Sequence, residues 1–97
     1  MEKSKVKDII SEVLTDILEG NDVRIKIDEN TALMGANSVI DSLGLVTLIA
    51  DVEGVLLDED IEVSIFSEKA MSQKSSPFLN VASLNNYIME QINNNDA

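Results

Sequence analysis

The chain has 97 residues, 44% of them apolar and only 3% aromatic, with eighteen acidic side chains against seven basic ones and a net charge of −11. It contains neither cysteine nor histidine, which excludes disulfides, thiolate nucleophiles, Cys-ligated zinc and the commonest general base and metal ligand. So acidic a surface repels phosphate backbones and anionic headgroups, which argues against nucleic-acid and membrane partners and for proteins with basic patches.

The length suits one domain over residues 1–97, and a core of Ile, Leu, Val, Met and Ala favours helix packing over aromatic-rich strands. The opening MEKSKVKDII is charged and passes directly into an amphipathic pattern, unlike a signal peptide. No uncharged apolar run reaches membrane-spanning length, so a cytoplasmic protein is expected.

Val6, Ile9, Ile10, Val13, Leu14, Ile17 and Leu18 recur at intervals of three and four, which predicts a first helix over about residues 3–19. Gly20 followed by Asn21 is its expected stop. A long connection follows to about Asp41. Val23, Ile25 and Ile27 alternate with Arg24 and Lys26 as in a strand, yet no second strand offers a partner, so an extended loop pinned to the core is expected. Thr31, Leu33 and Met34 are further candidate anchors ahead of the turn-prone residues 35–38.

A second helix is predicted from Asp41 or Ser42 to about Leu57. Leu45, Leu48, Ile49, Val52 and Leu56 share one face, while Leu43, Val46 and Ala50 form a neighbouring stripe. A helix with two apolar faces is either deeply buried or keeps one face for a partner. Residues 67–71 read as a short turn of helix capped by Ser67, and 72–78 as a polar loop ending in the single proline, Pro77. A last helix is predicted over about residues 81–92, with Asn80 as N-cap, Val81, Leu84, Ile88 and Ile92 as its inner face and Tyr87 beside them. Residues 93–97 are expected to fray. The expected fold is therefore all-α, a bundle of three main helices and one short one.

The chemistry-bearing stretch is DSLGLVTLIADVE, residues 41–53. Ser42 falls at the start of a helix, where unsatisfied N–H groups and the positive end of the dipole favour a phosphate. Asp-Ser at a helix start is also ordinary capping. In its setting, after an amphipathic helix and a long loop, this Asp-Ser-Leu helix resembles the acyl carrier protein family, and residues 80–88 look like the start of that family's last helix.

The resemblance spans nearly the whole chain. It implies a monomeric, non-enzymatic carrier whose Ser42 receives 4′-phosphopantetheine from coenzyme A by a phosphopantetheinyl transferase, with Mg²⁺ needed only for that attachment. Asp41 corresponds to the acidic residue before the serine and would help position the metal ion. Leu43, Val46 and Ala50 fall where the family keeps an apolar stripe open to acyl-loading and acyl-processing enzymes. Asp51, Glu53 and the acids at 58–60 would supply a negative rim read by basic, partly apolar partner surfaces. For Leu43 and Val46, plain core packing is the competing expectation.

Two departures stand out. Fatty-acid carriers typically have acidic residues two and five positions after the serine, where this chain has Gly44 and Thr47. The segment 65–79 is also longer and more polar than usual. Both suggest a specialised stand-alone carrier, for a secondary metabolite, a modified sugar, or a hydroxy or amino acid. The alternative class is an acidic adaptor in which Ser42 merely caps the helix. Asp58, Asp60 and Glu62 imitate the first ligands of a calcium loop, but Val63 stands at the glycine position and Lys69 at the bidentate glutamate, so that reading is rejected.

Overall fold

The computed structural model of the protein describes residues 2–35, 37–63, 65 and 77–95. Its helices are α1 (Lys3–Gly20), α2 (Ser42–Asp58) and α3 (Val81–Asn95). No strand occurs among the described residues, and the one extended pairing there is a bridge between Ala32 and Asn80. The all-α expectation and the long first connection hold. The short helix expected over 67–71 lies outside the described residues.

α1 is the central element, packing against both α2 and α3, which do not approach one another closely. Its stripe of Val6, Ile9, Ile10, Val13, Leu14 and Leu18 is buried, as its periodicity requires. Facing it are Leu48, Ile49, Val52 and Leu56 of α2 and Val81, Leu84, Tyr87, Ile88 and Ile92 of α3, all in one core. Each such side chain contributes about 1.5–3 kcal/mol when fully buried, which outweighs the weak intrinsic helix preference of Val and Ile. Ile40, Ile65 and Phe78 join the core from outside the helices, Ile65 at the end of an alternation whose Ile61 and Val63 are also packed against it.

α1 and α2 end by the same device. Asp22 and Asp60 sit at φ +60° and +63°, in the left-handed region, each just after the capping residue. The N–H of Val23 reaches back to the Leu18 carbonyl (2.8 Å), and that of Ile61 to the Leu56 carbonyl (2.9 Å). Two otherwise orphaned carbonyls are thereby satisfied. Gly20 is thus the last helical residue and not the stop: Asp22, whose short polar side chain tolerates this conformation, takes the position usually held by glycine.

The first connection is held to the core by apolar side chains, as expected for Val23 and Ile27, which pack half-buried against it, and by backbone. Thr31 and Leu33 are buried as expected; Ile25 is 46% exposed, and Met34, 40% exposed, is held through its N–H on the Leu79 carbonyl (3.4 Å). Leu33 N–H to Leu79 C=O (2.9 Å), Val39 N–H to Ala32 C=O (3.0 Å) and buried Ile40 add to the hold. The same loop completes the start of α3: carbonyls of Thr31 and Glu29 accept the N–H groups of Val81 (3.1 Å) and Ala82 (3.0 Å). Asn80 caps α3 as expected, its carboxamide oxygen accepting Ser83 N–H at 2.8 Å while Ser83 Oγ accepts Asn80 N–H at 3.0 Å. The helix continues to Asn95, three residues past the predicted end at Ile92.

Candidate functional site

The start of α2 is set by Asp41. Its backbone is extended, its carbonyl accepts the first helical N–H, from Leu45 (2.9 Å), and its carboxylate accepts Gly44 N–H at 2.7 Å. Those are the duties of an N-cap, and Asp41 discharges them alone. Ser42 is therefore the first helical residue and not the cap. It is exposed, its hydroxyl has no hydrogen-bond partner among the described residues, and the N–H groups of Ser42 and Leu43 are also unclaimed. Unclaimed N–H groups at a helix start and the positive end of the dipole suit an anionic substituent at this residue.

The approach to this point is open. Asn21, Ser38, Val39, Ile40, Asp41 and Gly44 line a shallow cleft of about 440 Å³ between the end of α1 and the start of α2. Ser38 Oγ donates to Ile40 C=O (2.9 Å), which fixes the chain entering the helix.

Along α2, Leu43 is 75% and Val46 49% exposed, and Ala50 is exposed with them. The three are spaced to lie along one side of the helix, opposite the buried row of Leu48, Val52 and Leu56. Core packing therefore does not account for Leu43 and Val46. Leu57, 59% exposed, extends the stripe by a further seven residues from Ala50, two helical turns on.

The acidic residues are less uniform. Asp51 is exposed beside the stripe. Glu53 is half-buried, and its carboxylate accepts the Ile65 N–H at 2.7 Å, so it ties the chain after α2 back onto the helix. Glu59 forms an exposed ion pair with Lys5 (3.0 Å), and Asp60 is the left-handed closing residue.

The two departures from the acidic pattern have local causes. A Cβ on Gly44 would lie 3.0 Å from Ile40 Cβ and 3.3 Å from the Asp41 carboxylate, so this turn has no easy room for a side chain. Thr47 turns its hydroxyl inward to the Leu43 carbonyl (3.0 Å). The first two turns of α2 consequently present an apolar surface with a single carboxylate, Asp41, at its head.

Among the described residues, no helix is long and apolar enough to cross a membrane. No protein-family model matches the chain, nor does any curated protein or solved structure.

Proposed function

We propose that the chain is a specialised acyl-carrier-type protein, without catalytic activity of its own, that bears a 4′-phosphopantetheine arm on Ser42. The observation that carries this reading is the division of labour at the start of α2: Asp41 caps the helix and leaves the exposed Ser42 hydroxyl without a hydrogen bond among the described residues. Supporting it is the exposed row of Leu43, Val46 and Ala50 directly behind that hydroxyl, a surface that a docked enzyme would cover.

In the attachment step, Ser42 Oγ attacks the β-phosphorus of coenzyme A. The new P–O bond replaces the bond to adenosine 3′,5′-bisphosphate, which leaves, and the hydroxyl proton passes to the transferase or solvent. Mg²⁺ belongs to that transferase reaction, with Asp41 adjacent to the reacting oxygen in sequence. The arm supplies the thiol that the chain lacks, on which cargo travels as a thioester. The chain's own part is to hold the attachment point at a fixed helix end and to raise the local concentration of cargo at successive enzymes. Phosphopantetheinyl transferase and acyl-loading and acyl-processing enzymes are the partners, and a cytoplasmic monomer serving a dedicated pathway is the setting. The weak acidic pattern of α2 favours partners that dock more through apolar contact than through charge.

The exposed stripe also fits the second reading, an acidic adaptor docking a partner through α2 with no modification at Ser42. Incubation with coenzyme A, Mg²⁺ and a broad-specificity phosphopantetheinyl transferase, followed by intact-mass measurement, separates the two. One phosphopantetheine adduct, lost in Ser42→Ala, is expected. Failure with several transferases leaves the adaptor.

A further inference from the structure

From Val23 to Asp28 the first connection runs without turn or bend. Between Arg24 and Ile27 no backbone N–H or C=O has a partner among the described residues. Both ends of the stretch are fixed. At one end Val23 N–H is bound to Leu18, and at the other Asp28 and Thr31 close a turn, with Thr31 N–H on Asp28 C=O (3.1 Å) and Asp28 N–H on Thr31 Oγ1 (2.9 Å). Val23 and Ile27 are half-buried against the core, while Ile25 is exposed. An unpaired row of backbone donors and acceptors, held in place at both ends, is a template for an added strand, and its fixed ends reduce the ordering cost of pairing.

The stretch forms one wall of a groove of about 530 Å³, with Thr15, Leu18 and Glu19 of α1 opposite. Arg24 and Lys26 line it, and neither has an ion-pair partner among the described residues. Two unpaired cations against one carboxylate, Glu19, give the groove a local positive excess on a chain of net charge −11. A second copy pairing antiparallel about Ile25 would set Arg24 against Lys26, which is repulsive.

We infer that the groove beside residues 23–27 docks an extended acidic segment of a partner protein, added as a strand with apolar side chains toward Ile25 and carboxylates toward Arg24 and Lys26. This site is independent of the carrier reading, because it involves neither Ser42 nor the α2 stripe. Long-range repulsion from the acidic surface slows approach but is screened at moderate salt, whereas the short-range pairs survive.

The test uses the full ¹⁵N-labelled chain and short synthetic peptides: alternating Glu and Val, alternating Lys and Val, and the acidic one with N-methylated backbone amides. The acidic peptide should shift the amide resonances of Arg24–Ile27 and slow their hydrogen exchange, and the N-methylated peptide should not. Arg24→Glu combined with Lys26→Glu should weaken binding by roughly tenfold or more. Ser42→Ala should bind as the unmodified chain does. Equal binding of the lysine peptide, shifts confined to the α2 stripe, or no shifts at all would overturn the proposal. A dimer in sedimentation that protects the amides of 24–27 would overturn it too, by assigning the edge to a second copy.

Discussion

Asp41 and Gly44 constrain each other: the carboxylate takes the Gly44 N–H at 2.7 Å, and the same oxygen would lie 3.3 Å from any Cβ placed on Gly44. This pair fixes where α2 starts and hence that Ser42 is its first residue. Asp41→Ala removes the acceptor and should cost about 1 kcal/mol, whereas Asp41→Asn keeps an oxygen in place and should cost much less. Urea titrations would show the difference as a lowered midpoint with an unchanged slope. If Asp41→Asn is as stable as the parent yet loads poorly, the transferase reads the charge and not the cap.

Gly44 and Gly54 lie in the same helix but should respond oppositely to alanine. Nothing lies within 4 Å of a Cβ on Gly54, so Gly54→Ala should gain about 0.5–1 kcal/mol from helix propensity alone. On Gly44 the new Cβ meets Ile40 Cβ at 3.0 Å. Ile40 is buried, its carbonyl is bound by Ser38, and the preceding Val39 N–H is held by Ala32, so it has little freedom to retreat. Gly44→Ala should therefore gain nothing or lose stability, and Gly44→Glu should not restore an acidic strip without cost. Thermal unfolding of the two alanine variants in parallel decides the point. A full propensity gain at Gly44 would show that Ile40 gives way.

The helices were legible because a 3.6-residue period repeats over several turns, and Val6 to Leu18 leaves little choice of structure. The closing signals were harder. Gly20 is a strong stop by composition, yet Asp22 does the closing, because the left-handed position depends on where the carbonyls need partners and not on the nearest glycine. Ile40 and Phe78 stand in irregular chain with no repeating pattern around them, so their burial is a property of the tertiary fold, whereas Ile65 follows Ile61 and Val63 in an alternation too short to fix its element by itself. At the site, the stripe of Leu43, Val46 and Ala50 followed from spacing. That Glu53 would be spent on a distant backbone N–H did not, since Ile65 lies twelve residues away across an irregular segment.

Glu53 tests that point directly. Glu53→Ala leaves the Ile65 N–H without its acceptor and should cost about 1–2 kcal/mol, while Glu53→Gln retains an oxygen and should recover most of it. Hydrogen exchange at the Ile65 amide should accelerate in the alanine variant and much less in the glutamine variant. Equal stability of all three proteins would return Glu53 to the exposed acidic rim.

Asp60 offers a gain in place of a loss. Its φ of +63° is tolerated by aspartate but unstrained for glycine, and Ile61 N–H already closes on Leu56. Asp60→Gly should therefore stabilise the chain by about 0.5–1 kcal/mol, whereas Asp60→Val, branched at Cβ, should destabilise it. Chemical denaturation of the pair reads both signs.

Val46 and Val52 are the same residue type on the same helix, yet Val46 is 49% exposed and Val52 is fully buried. Val46→Asp should change stability by no more than about 0.5 kcal/mol, because its carboxylate remains in water. Val52→Asp places the same group among the apolar side chains of the core and should cost about 4 kcal/mol or more, enough to unfold a small domain. Circular dichroism and thermal melts would register that contrast. On the carrier reading, Val46→Asp should also slow cargo loading at least several-fold while the helical signal stays intact. Unimpaired loading would mean that partner enzymes do not use the stripe, and unfolding of Val46→Asp would mean that the outer face of α2 is core after all.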